Sequence, residues 1–136
     1  MKISAKAEYA CLALLALARR RSGHPPVRIR EISEEHGIPE RYLVQILLQL
    51  KGAGLVASTR GASGGYRLAR PASAISLGAV LTAIDGPDSP PRALLPPAAQ
   101  VLATVWEHVR AAERAVLDQT SIAQLAERTA PREWVI

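Results

Sequence analysis

The stretch Arg60-Gly61-Ala62-Ser63-Gly64-Gly65 sets a cation beside three glycines. Glycines allow tight turning and let a backbone come close to phosphate groups. A nucleotide-binding loop of this composition would need a Lys-Ser/Thr pair opening a helix behind it. Instead, strand-like sequence stands on either side, Leu55 to Thr59 before and Tyr66 to Leu68 after. The loop therefore reads as the tip of a β-hairpin.

Other reactive chemistry is sparse. There is no Ser/His/Asp set, no GxGxxG fingerprint and no evident carboxylate pair, so no catalytic residue is assigned and an enzyme is disfavoured. His24, His36 and His108 fall in a loop, at a helix end and in a long helix, without metal-ligand spacing between any two. No metal is expected. The single cysteine, Cys11, excludes an internal disulfide framework and a thiol cluster for zinc. It lies in an apolar-rich first helix, where a free cysteine is ordinarily a small core residue. The alternative is a redox thiol, but no resolving cysteine or electropositive setting accompanies it.

The elements that must position these groups are punctuated clearly. Ser4 can cap a helix in which Tyr9, Leu12, Ala13, Ala16 and Leu17 recur at helical spacing as far as Arg19-Arg20-Arg21, cations suited to a helix C-terminus. Ser22-Gly23-His24-Pro25-Pro26 breaks it, and Val27-Arg28-Ile29 alternates as a short strand would. A second helix starts near Arg30 and stops at Gly37. Pro39 opens a third, whose buried stripe is Leu43, Ile46, Leu47 and Leu50 and whose end is Gly52-Ala53-Gly54. Beyond the hairpin, Ser76 can cap a helix over Leu77, Val80, Leu81 and Ile84, closed by Gly86. Five prolines between Gly86 and Pro97 make a stiff connector.

Ala98 to Gln119 reads as one long helix. Its Leu102, Val105, Val109, Ala112 and Val116 are spaced 3, 4, 3 and 4, a narrow seam suited to another helix, and Trp106 and Val101 broaden it. Ser121 with Gln124 forms a capping box for a last helix, Ile122 to Arg128. The tail from Pro131 to Ile136 is unassigned.

A helix-turn-helix needs a small residue in its first helix, a glycine at the turn and apolar residues that lock the second helix. Ser33, Gly37, Ile38, Leu43 and Ile46 fill those places. With the hairpin directly downstream, the order is that of a winged helix. The charge agrees. Residues 1–70 carry 12 Lys/Arg against 5 Asp/Glu, net +7, whereas residues 71–136 carry 5 against 7, net −2. A basic half joined to a mildly acidic half suggests that one end meets a polyanion. No run approaches the roughly 18 apolar residues of a membrane span, and no apolar leader precedes the first helix. A cytoplasmic protein is expected.

At this point the sequence is recognisable. Tyr9-Ala10, Tyr42-Leu43-Val44-Gln45-Ile46-Leu47, Gly54-Leu55-Val56-Ala57-Ser58 and the run from Arg60 to Leu68 resemble the Rrf-type family of bacterial winged helix-turn-helix transcriptional regulators. Ile75-Ser76-Leu77 and Ala83-Ile84-Asp85-Gly86 also resemble its pattern after the wing. The likeness covers residues 1–86, and the long helix only in kind. It implies that Tyr42 and Gln45 face the major groove of double-stranded DNA, where Gln can read adenine. It implies phosphate contacts for Arg41 and Lys51, or a guanine edge for Arg41, and a minor-groove position for Arg60. The amides of Gly61, Gly64 and Gly65 would approach phosphates, with Ser4 and Tyr66 completing the DNA-contacting set. Blander readings stand beside these: Tyr42 packed at the turn, Gln45 and Arg60 merely solvated.

Two departures qualify the resemblance. Many members carry Glu where Val44 stands, and Val can offer only apolar contact, for instance to a thymine methyl. Well-known members also hold an iron–sulfur cluster through three connector cysteines, whereas residues 86–97 contain none. No iron–sulfur cluster or other cofactor is expected. The fold expected is mainly α with a small β-hairpin wing: a winged helix-turn-helix over 1–86, a Pro-rich connector over 87–97, and a dimerisation helix with a C-terminal segment over 98–136. The function expected is that of a homodimeric repressor on a palindromic operator, paired through Leu102, Val105, Trp106, Val109, Ala112 and Val116. A protein-interaction module, or a DNA-binding regulator governed by a partner protein, is the alternative. The sequence assigns no effector.

Overall fold

Ser4 begins the first helix as its spacing predicts. Its hydroxyl accepts from the Ala7 amide at 3.0 Å, and α1 runs Ala5–Ala18. A computed structural model describes residues 1–20, 23–87 and 96–129. Ala7, Ala10, Ala13 and Ala16, with Leu14 and Leu17, are buried along α1. Such small side chains let neighbouring helices approach closely. α1 is accordingly the central post, with most of the later helices and the hairpin packed around it.

The helix-turn-helix follows as α2, Ile29–His36, and α3, Glu40–Gly52. Gly37 turns the chain with φ 65°, the left-handed conformation that costs a glycine nothing. Ser33 locks the turn by donating its hydroxyl to the Ile38 carbonyl at 2.6 Å. Leu43, Ile46, Leu47 and Leu50 bury the inner face of α3 completely. The hairpin is β1, Val56–Thr59, paired antiparallel with β2, Gly65–Leu68. A short 3-10 turn over Ala72–Ala74 leads to α4, Leu77–Asp85, capped by Ser76. The long helix α5 is Pro97–Gln119, and α6 is Ile122–Thr129. The capping box forms in both directions: Ser121 Oγ accepts from Gln124 N at 3.1 Å, and Gln124 Oε1 accepts from Ser121 N at 2.9 Å.

Three local expectations change. α1 ends at Ala18, and Arg19 and Arg20 pair with Glu35 of α2 at 2.9 and 3.1 Å instead of extending the helix. Arg21 lies outside the described residues. Of Val27-Arg28-Ile29 only Val27 pairs like a strand, exchanging two 2.8 Å backbone bonds with Tyr66, and Ile29 already begins α2. Finally, α6 does not stay with α5. Ile122 is fully buried, its amide donates to the Ile75 carbonyl at 2.8 Å, and α6 packs on α1. The last helix thus completes the core of the winged unit. Connector residues 88–95 and the tail from 130 onward lie outside the described residues.

Gly65 shows how closely the wing is tied down. A Cβ placed there would sit 2.5 Å from the Val27 carbonyl oxygen and 3.0 Å from the Pro26 carbonyl carbon, both backbone. Gly65→Ala should therefore force the Val27–Tyr66 bridge apart and destabilise the fold by about 1–3 kcal/mol, the usual cost of overpacking. Urea unfolding measures this, and an unchanged midpoint would contradict the tight approach.

Candidate nucleic-acid interface

The recognition helix owes its orientation to its buried stripe. With residues 43, 46, 47 and 50 turned inward, helical periodicity turns 41, 44, 45 and 48 outward. Arg41, Tyr42, Val44, Gln45 and Leu48 are all exposed, Tyr42 by 55%. Tyr42 is therefore not packed away at the turn. Lys51, in the last turn of α3, is exposed as well.

The wing stands beside the start of this helix. A groove of about 830 Å³ is bordered by Arg28, Arg30, Glu40, Gly61, Ala62 and Gly64 among others. Arg28 donates to the Ala62 carbonyl and so braces the wing tip against the N-terminus of α2. Arg28 and Arg30 were not singled out in the sequence, where they are ordinary cations at a helix start. Only the tertiary approach of the wing gives them a place. Arg30 also pairs with Glu34 one turn along at 3.2 Å. None of the ion pairs among the described residues engages Arg41, Lys51 or Arg60.

Three residues of the assigned set make bonds within the fold. Ser4 spends its oxygen on the Ala7 amide and its proton on the Asp85 carboxylate at 3.1 Å, and so joins α1 to α4. The Gly64 amide donates to the Gly61 carbonyl at 2.9 Å, closing the turn, and is not free for a phosphate. Tyr66 is half-buried against the core, and its amide and carbonyl are both held by Val27. Local pattern does not reveal which donors a turn or a bridge consumes for itself.

The other surface of note is α5, none of whose residues is buried. Leu102, Val105, Trp106, Val109 and Val116 are each between 45% and 65% exposed, and Ala112 is exposed with them. The helix is held to α4 mainly from its second half, where Arg114 donates to the Thr82 hydroxyl at 2.9 Å.

With this geometry in hand, comparison with known proteins is decisive. A family profile described as Rrf2, iron-dependent transcriptional regulator, matches residues 3–128. The chain belongs to the Rrf2 family. It is 37% identical to the helix-turn-helix transcriptional regulator CymR of Bacillus subtilis, over 95% of this chain and 92% of that one. The structure of that regulator, described as the global cysteine regulator, superposes with a TM-score of 0.82 at 36% identity, covering 96% of this chain and 99% of CymR. IscR from T. potens superposes at 0.80 with 32% identity, covering 100% of this chain and 93% of that one. IscR of Yersinia pestis is 47% identical, over 62% of this chain and 51% of its own length. The fold is thus the winged helix of Rrf2 regulators, and the chain is a DNA-binding transcriptional regulator.

The family description raises iron, and the residues present do not fit a cluster. Cys11 is the one thiol in the sequence. It sits in α1 against the core, and burial first, then the Glu8 carboxylate, push its thiol up from an ordinary 9.0 to about 11. A thiol so reluctant to ionise is a poor ligand and a poor nucleophile. Among the described residues no three His, Cys, Asp or Glu side chains gather as metal ligands. Because the folded-state value is raised, the neutral thiol contributes stability in full below about pH 9, and this is lost as the pH climbs toward 11. A thiol reagent at pH 8 should modify the native protein far more slowly than the urea-unfolded chain, and equal rates would refute the half-buried placement against the core.

Proposed function

We propose that this Rrf2 regulator acts in the cytoplasm as a homodimeric repressor of transcription on a palindromic operator, without an iron–sulfur cluster and without catalytic activity. The observation that carries the reading is the joint exposure of Arg41, Gln45 and Lys51 on α3 and of Arg60 on the wing, with no ion pair to any of the three cations among the described residues. Gln45 and Tyr42 would meet base edges in the major groove, and Arg60 would enter the adjacent minor groove. Arg41 and Lys51 would hold phosphates, together with the wing amides of Gly61 and Gly65.

Two-fold pairing would run through the exposed seam of α5, Leu102, Val105, Trp106, Val109, Ala112 and Val116. A row of apolar residues one helix long is costly to leave in water, and a second copy supplies a matching row. Two winged units would then present two recognition helices to two half-sites. CymR resembles this chain along nearly its whole length, which favours the same plan of regulation.

Arg60→Ala and Gln45→Ala should each weaken binding to a selected operator, by about tenfold where a base contact of 1–3 kcal/mol is lost. Lys51→Ala should weaken binding to all sequences alike and flatten the dependence on salt. Fluorescence anisotropy across a salt series reads both, and unchanged affinity in all three variants would remove the proposed face. Light scattering of the purified protein should give about twice the 14.6 kDa chain mass, with no visible absorption and no iron by elemental analysis. A monomer would defeat the pairing, and an absorbing cluster would defeat the cofactor-free reading.

A further inference from the structure

The outward face of α3 is divided by chemistry. Arg41 and Gln45 stand one turn apart and form a hydrogen-bonding half. Val44 and Leu48, also one turn apart, form an apolar half beside it and are 42% and 58% exposed. Neither belongs to the core or to the apolar residues packed on it. A single exposed aliphatic side chain is ordinary on any protein. Two of them adjoining the residues aimed at base edges pose a sharper question. Both lose water when the helix docks, and neither can satisfy a donor or acceptor on a base. On the floor of the major groove the apolar group within reach is the C5-methyl of a pyrimidine.

We propose that Val44 and Leu48 form a methyl-reading subsite that selects C5-methylated pyrimidines, thymine in unmodified DNA, beneath the apolar half of α3. The inference rests on the reading of α3 as the DNA-recognition helix. Four residues of helix rise about 6 Å, close to two base steps of about 3.4 Å. The pair therefore addresses methyls on neighbouring or next-but-one bases in each half-site. Arg41 and Gln45 supply the hydrogen-bonded positions alongside, so the subsite divides the half-site into a polar and a methyl-bearing part.

The test begins with in-vitro selection of an operator by the full-length protein. Each thymine is then replaced singly by uracil, which removes the methyl and nothing else. Wild-type protein should lose about three- to fivefold in affinity at one or two thymines per half-site, the worth of one buried methyl. In the Val44→Ala/Leu48→Ala protein the same uracil replacements should cost less than about 1.5-fold. Both positions are exposed, so the thermal midpoint of this variant should stay near the wild type. Cytosine at the sensitive position should bind better once converted to 5-methylcytosine, which distinguishes the methyl from other features of thymine.

Indifference of the wild type to uracil at every position would overturn the subsite while leaving DNA binding intact. Equal sensitivity in the double variant would overturn it too, because the methyl would then be read elsewhere. So would indifference to uracil together with loss of self-association in the variant, which would make the patch a protein contact. If selection yields no preferred duplex, the DNA-recognition reading of α3 falls and takes the subsite with it.

Discussion

The recognition helix must bury one face completely and leave the other in water, and most of the fold serves that constraint. Leu43, Ile46, Leu47 and Leu50 have no exposed surface. The seat that receives them is α1, whose alanines permit close approach of several elements at once. Larger residues there would push α3 outward or tilt it. The helix-turn-helix angle thus rests on small residues of α1. Apolar packing suits this task because it is dense and resists gradual deformation. Among the described residues no polar or charged side chain is buried outright, so the fully buried face of the seat is aliphatic throughout.

Charge is distributed by a complementary logic. Arg19 and Arg20 are occupied by Glu35, Arg114 by Asp118 and Thr82, and Arg28 by the wing carbonyl. These ties hold elements to one another at the surface. Arg41, Lys51 and Arg60 have no such engagement among the described residues and lie on α3 and the hairpin. A cation already paired must give up its partner before it can meet a phosphate, so the three without a pair among the described residues would meet one at least cost. Arg28 contributes differently, by stiffening the wing that carries Arg60.

What could be read from the sequence was what short-range chemistry decides. Ser4, Ser76 and the Ser121/Gln124 box fix where helices begin, because each cap closes within three residues. Gly37 fixes the turn for the same reason. Destinations were not legible. A capping box starts α6 but cannot say that Ile122 will bond back to Ile75 and fill the core beside α1. The Val27–Tyr66 bridge is likewise non-local, which is why three alternating residues suggested a strand and only one pairs. The candidate site followed the same rule. Outward positions on α3 came from periodicity, whereas the internal bonds of Ser4, Gly64 and the Tyr66 backbone depend on partners that local pattern does not name.

The contrast between the α1 seat and the attachment of α5 bears on how a regulator of this build can respond. α3 rests on α1 through fully buried aliphatic residues, and displacing it would open a cavity at several kcal/mol. α5 meets the winged unit through α4, through Arg114 with Thr82 and the terminal amine with Glu113 at 3.2 Å, and through the Thr120 carbonyl, which accepts from the Leu77 amide at 2.9 Å. Exposed pairs of this kind are worth only about 0–1 kcal/mol each. The joint between α5 and the winged unit is therefore more polar than the one that seats α3. If two copies pair along α5, a signal acting at that joint changes the spacing and angle of two recognition helices without altering either one. The half-buried Cys11, whose thiol is held un-ionised by burial and by Glu8, packs against the core on the α1 side of this division, away from the polar joint.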